Sequence, residues 1–94
     1  MPKEKTPTES WTYEYRGNTI IVDNFLTECQ LYVNGELQDK KKALLQFNAS
    51  LNAKLDSGEE IVAYLRAELM SVNCFLKVDG ILLQPLNYQD HFMK

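Results

Sequence analysis

Cys29-Gln30-Leu31-Tyr32-Val33-Asn34-Gly35-Glu36-Leu37 returns 45 positions later as Cys74-Phe75-Leu76-Lys77-Val78-Asp79-Gly80-Ile81-Leu82. In each copy an alternating apolar run meets Asn-Gly or Asp-Gly, and a second run follows. Asn-Gly and Asp-Gly tolerate the positive φ at both central positions of a type I′ turn, so each copy reads as a tight β-hairpin. A β-branched or aliphatic strand precedes each copy, Thr19–Val22 in the first case and Glu60–Leu65 in the second. The plainest account is a strand–hairpin unit present twice, once per sheet, related by a pseudo-twofold.

The flanking segments carry the same period. Trp11-Thr12-Tyr13-Glu14-Tyr15 alternates aromatic with polar up to the turn Arg16-Gly17-Asn18, which predicts a strand with one aromatic face. Ala43, Leu45, Phe47, Ala49, Leu51, Ala53 and Leu55 are apolar at every second position, which a helix of period 3.6 would scatter around its axis. A strand over 43–55 is expected, bent or bulged near Asn48–Asn52. Asp56-Ser57-Gly58-Glu59 is the next turn. Residues 59–70 have two readings: the period-2 pattern from Ile61 to Leu69 predicts a strand, whereas helix formers and a Ser57/Glu60 capping-box pattern predict a helix. The matching pattern across the short turn favours a long hairpin. Leu86–Lys94 keeps Tyr88 and Phe92 and reads as an arm or a further strand.

These elements predict an all-β chain, an antiparallel β-sandwich or flattened barrel of about seven to eight strands. With 94 residues the chain is one domain. Residues 11–94 form that domain, and residues 1–10, with two prolines and no apolar run, read as a disordered leader. No apolar stretch suits a secretory signal or a membrane span, which places the protein in the cytoplasm. A net charge of −3 gives no basic footprint for nucleic acid or anionic membrane. Lys40-Lys41-Lys42 reads as a solvated turn.

The search for chemistry yields little. His91, the one histidine, sits between Asp90 and Phe92 near the end of the chain, with no spacing that joins it to a nucleophile. Cys29 and Cys74 read as buried thiols, with a bridge open only if the two strand starts lie side by side. Two cysteines and one histidine cannot build a structural zinc site. Asp56, Glu59 and Glu60 read as solvated turn carboxylates. No phosphate loop, nucleophile elbow or dinucleotide fingerprint is present. No enzyme, metal or cofactor is therefore expected.

The aromatic residues are the candidate binding set: Trp11, Tyr13 and Tyr15 along one strand face, with Tyr32 and Tyr64 elsewhere. Turned outward, the first three make a stacking platform for a sugar or peptide; turned inward, they are core. A third reading makes the first strand a sheet edge whose aromatic face closes a homodimer or partner interface. The expected function is a non-catalytic protein-interaction module, self-associating through an edge strand. A small-ligand or carbohydrate-binding domain is the alternative.

Asn18-Thr19-Ile20-Ile21-Val22, a short connection, and Leu31-Tyr32-Val33-Asn34-Gly35-Glu36 resemble the Fas apoptosis inhibitory molecule family, in which a strand and a Tyr-Val-Asp-Gly-Lys hairpin recur. Here Asn34 stands at the Asp position and Glu36 at the Lys position, and the second copy lacks the aromatic residue. The likeness covers residues 18–38 and echoes at 74–82. It implies a compact all-β sandwich, and it carries no catalytic residues over to this chain. The strand–Asn-Gly–strand unit is also similar to short uncharacterised bacterial all-β proteins.

Overall fold

The computed structural model describes residues 6–42, 48–69 and 71–90. Among them are nine strands: β1 Glu9–Tyr15, β2 Asn18–Asn24, β3 Glu28–Val33, β4 Glu36–Lys42, β5 Ala49–Lys54, β6 Glu60–Ala67, β7 Val72–Val78, β8 Ile81–Leu83 and β9 Asn87–Asp90. They form two antiparallel sheets, a five-stranded one in the order β4-β3-β2-β1-β9 and a four-stranded one in the order β5-β6-β7-β8. No helix in the described residues is long and apolar enough to cross a membrane. The fold class is the expected one.

Each sheet is built on a four-strand meander, β1–β4 in one and β5–β8 in the other, with β9 added beside β1. The repeated phrase therefore falls once in each sheet, spanning β3–β4 and β7–β8. The central turn residues have φ of 51° and 85° at Asn34 and Gly35, and of 48° and 82° at Asp79 and Gly80. Both turns thus meet the requirement of type I′ geometry, and a β-branched residue at either glycine position would be strained there. The equivalence extends to side-chain hydrogen bonds. The Thr19 N–H donates to Asn34 Oδ1 at 2.9 Å, and the Glu60 N–H donates to Asp79 Oδ1 at the same 2.9 Å. The Asn34 and Asp79 amides return bonds of 2.8 Å to the Thr19 and Glu60 carbonyls. The Asx residue of each hairpin therefore satisfies the first residues of the strand before it, at corresponding places in the two sheets.

The third tight turn, Arg16-Gly17, has φ of 49° and 81° and lies at the same end of the molecule. Arg16 reaches across to Glu59 in the β5–β6 turn at 3.9 Å, and its guanidinium lies 5.4 Å from the Tyr15 ring centre. At one lateral side, the Asn52 N–H of β5 donates to Asp39 Oδ2 of β4 at 2.8 Å. At the other, the chain passes from β8 through Pro85 into β9, where the Leu86 N–H donates to the Thr12 carbonyl at 2.6 Å. The sandwich is thus drawn toward a flattened barrel on both sides.

The core lies between the sheets. Trp11, Tyr13, Ile20, Val22, Cys29, Leu31 and Val33 project from one, and Leu51, Ile61, Ala63, Leu65, Leu76 and Val78 from the other, all buried. The alternation of burial along β6 and β7 follows the period of 2 expected of half-buried strands.

Several expectations are corrected. Lys40, Lys41 and Lys42 are not a turn but the end of edge strand β4, opposite Gln30, Cys29 and Glu28. The long strand over 43–55 is represented by β5 alone, with residues 43–47 outside the described set. The segment that carried a helical alternative is strand β6. Glu9 and Ser10 belong to β1 rather than to a leader: Glu9 is buried, accepting from Asn24 Nδ2 at 2.9 Å. Leu86–Asp90 supplies β9, and His91 lies outside the described residues.

Candidate functional site

The five aromatic residues singled out in the sequence do not form one site. Trp11 and Tyr13 are core, and Tyr15 is half-buried against it. β1 is an interior strand between β2 and β9, so it is no edge, and its aromatic face is turned into the core, so it is no platform. The physical reason is plain: the inward side of a central strand offers the largest apolar burial in a small domain, and bulky aromatics gain most from it. Trp11 packs against Tyr88 of β9, with ring centres 5.5 Å apart and planes inclined at 31°. Tyr32 lies on the outer face of the five-stranded sheet, where its hydroxyl donates to Gln30 Oε1. Tyr64 lies on the outer face of the opposite sheet, and of the five it is the exposed one.

The Tyr13 hydroxyl is buried with only the weakly bonding Cys74 thiol beside it and no full hydrogen-bond partner among the described residues. Burial, and secondarily the neighbouring Cys74 thiol, pushes its ionisation far upward. An unsatisfied buried hydroxyl costs about 1–3 kcal/mol. Tyr13→Phe should therefore raise stability by about 1 kcal/mol or more in urea titration, whereas a loss would show that the hydroxyl is satisfied in solution.

The two thiols sit on inward positions of opposite sheets. Burial pushes the Cys74 thiol up to about 12, against a smaller lowering by the Tyr13 hydroxyl. Burial raises Cys29 as well, and its sulfur lies 3.8 Å from the Lys41 carbonyl oxygen. Neither has the lowered pKa that makes a cysteine a nucleophile near neutrality. Among the described residues no group of three His, Cys, Asp or Glu side chains is placed to hold a metal ion.

At the tight-turn end, Asn18, Val33, Asn34, Glu36, Gln38, Lys54 and Asp56 line a polar groove of about 290 Å³. Its two asparagines are already committed. Asn34 Nδ2 donates to Asn18 Oδ1 at 2.9 Å, and Asn18 Nδ2 donates to the Tyr15 carbonyl at 3.1 Å. They hold turns and leave the groove Val33, Gln38 and three flexible charged side chains.

The outer face of the five-stranded sheet combines cross-strand polar pairs with one apolar row: Ser10 donates to Asp23 at 2.6 Å and Thr19 donates to Glu14 at 2.8 Å, while Ile21, Tyr32 and the exposed Leu37 stand opposite one another. Gln30 bridges Tyr32 and Glu28 on the same face. Burial raises the Asp23 carboxyl, and the Ser10 bond partly offsets the rise. On the four-stranded sheet the outward side of β6, β7 and β8 carries Val62, Tyr64, Phe75 and Leu82 among Glu60, Arg66, Asn73 and Lys77. Val62, Tyr64, Phe75 and Leu82 are 39%, 37%, 40% and 47% exposed. They surround one charge: Tyr64 stands opposite Phe75, and Lys77 lies between Val62 and Leu82.

Compared with protein-family models, curated proteins and solved structures, the chain matches none. The site must be judged on its own geometry. Val62, Phe75 and Leu82 lie outside the aromatic alternation that marks Trp11, Tyr13 and Tyr15 in the sequence. The available signal was an apolar residue at both parities: Ile61–Leu65 is an unbroken apolar run, and Phe75 lies between Cys74 and Leu76. A strand of a two-layer fold needs only one of its two parities for the core.

Proposed function

We propose that this chain is a non-catalytic protein-interaction module, and that the outer face of the four-stranded sheet is its recognition surface. The carrying observation is the exposed set Val62, Tyr64, Phe75 and Leu82 gathered around Lys77 on one outer face, larger than the single row Ile21–Tyr32–Leu37 on the other. Contiguous apolar patches on a small domain mark interaction sites, whereas single exposed apolar residues do not. Aromatic anchors beside flexible basic side chains, here Lys77 and Arg66, suit a protein partner. The raised thiols support the absence of nucleophilic chemistry.

Site-specific photocrosslinking tests the reading. A benzophenone side chain at position 75 should give a protein adduct of defined mass, weakened by Tyr64→Asp, and the same group at position 12 on the opposite outer face should not. Equal yields from both positions would overturn it. The second reading, a carbohydrate or small-ligand platform, draws on the adjacency of Tyr64 and Phe75. It predicts shifts of both ring resonances on titration with simple sugars, and no protein adduct.

A further inference from the structure

The four sheet ends are not equally guarded. Unpaired strand edges invite pairing with another chain, and proteins blunt them with charges, bulges or covering segments. β4 carries Lys40, Lys41 and Lys42, and its pairing with β3 is shifted by an irregularity at Leu31/Tyr32. β5 lies against β4, and its Asn52 amide is taken by Asp39. β9 is Asn87-Tyr88-Gln89-Asp90, polar and ending on a carboxylate. β8 is Ile81-Leu82-Leu83, wholly aliphatic, with Ile81 63% exposed and no strand on its far side among the described residues.

We infer that β8 pairs antiparallel with β8 of a second copy of this chain, joining two four-stranded sheets into one continuous sheet. This rests on the interaction reading above and names its partner. Charge selects the occupant. β8 offers no charge to an acidic or basic strand, and its own sequence is the uncharged aliphatic match. In an antiparallel pair about a twofold at Leu82, Ile81 faces Leu83 of the other copy, and the two Leu82 side chains meet on the outer face. The Asp79 carboxylates, just before β8, then lie at opposite ends, whereas parallel pairing would set them side by side. The Lys77 side chains, one strand inward in each copy, are separated by three strand spacings, about 14 Å. That exceeds the ~8 Å screening length at physiological ionic strength, so they do not oppose the contact. The exposed strips Val62–Tyr64–Phe75–Leu82 of the two copies become one surface across the join. The arrangement is isologous and closed, which avoids open-ended assembly.

A three-residue pairing with its apolar flank belongs to the small, transient class of interface, so a dissociation constant on the order of 0.1–1 mM is expected. Sedimentation velocity from ~10 μM to ~1 mM should show monomer passing to dimer. Hydrogen exchange at the β8 amides should slow over the same range. Leu82→Lys, on an exposed outward position, should weaken the dimer at least tenfold while leaving the fold intact by circular dichroism. Thr12→Lys, on the opposite outer face, should leave it unchanged. A chain that stays monomeric at ~1 mM, or a dimer indifferent to Leu82→Lys, overturns the pairing. A monomer that still gives an adduct with a different protein at position 75 overturns self-pairing and spares the interaction reading. A monomer without any such adduct removes both.

Discussion

Replacing Leu76 by alanine will cost about 2–5 kcal/mol, while the same change at its neighbour Phe75 will cost well under 1 kcal/mol. The two residues are adjacent in β7 and differ in which way they point. Leu76 is fully buried, opposite Ala63 and facing the five-stranded sheet. Its truncation loses apolar burial and leaves a cavity that packed neighbours cannot fill. Phe75 lies on the outer face beside Tyr64 and is 40% exposed, so its truncation loses mainly a cross-strand contact. A small domain has a total stability of about 5–15 kcal/mol, so Leu76→Ala alone will shift the urea midpoint far down. The experiment also separates fold from function. If the outer face is the recognition surface, Phe75→Ala removes binding with stability almost unchanged, and Leu76→Ala does the reverse. A large stability loss at Phe75 would mean that this face is covered in the isolated chain.

The architecture was legible because its signals are local. Asn34-Gly35 and Asp79-Gly80 each specify a turn by backbone chemistry alone, and the alternation beside them fixes which residues share a face. What was not legible is of two kinds. The end of β4, Lys40-Lys41-Lys42, reads as a turn because an edge strand exposed on both sides needs no apolar parity, and three lysines there serve as a guard rather than as a signal. The direction of a face is the second kind. Trp11-x-Tyr13-x-Tyr15 has the same pattern whether the aromatics point in or out. Only the packing of the second sheet against that face decides for the interior. The candidate surface was hidden for the same reason. In Ile61–Leu65 both parities are apolar, and long-range pairing selects Ile61, Ala63 and Leu65 for the core, leaving Val62 and Tyr64 outside.

Stability will also fall steeply in alkali, and Cys74 and Cys29 together will account for the first part of the fall. Burial raises this thiol from 9.0 to about 12, so the folded chain keeps a proton that the unfolded chain has already released. Folding is thus linked to proton retention, and the sign follows: the contribution is undiminished below about pH 9 and is lost progressively as pH rises toward 12. One such group gives a limiting slope of about 1.4 kcal/mol per pH unit. Cys29, also raised by burial, acts in the same direction, and Tyr13 joins above its ordinary value of 10.0. Cys74 is half-buried, unlike the buried Cys29, and its thiolate would have to form beside Tyr13 and opposite the sheet that carries Cys29, where water solvates it poorly. Urea titrations at half-unit intervals from pH 8 to 11.5 will show stability level at first and then declining with a slope that steepens past pH 10. Cys74→Ala removes one of the two thiol contributions, so its curve should begin to fall at the same pH as the parent's and run shallower thereafter. Parallel curves for parent and variant would mean that the thiol is open to solvent, and the reading of both cysteines as interior groups would fail with it.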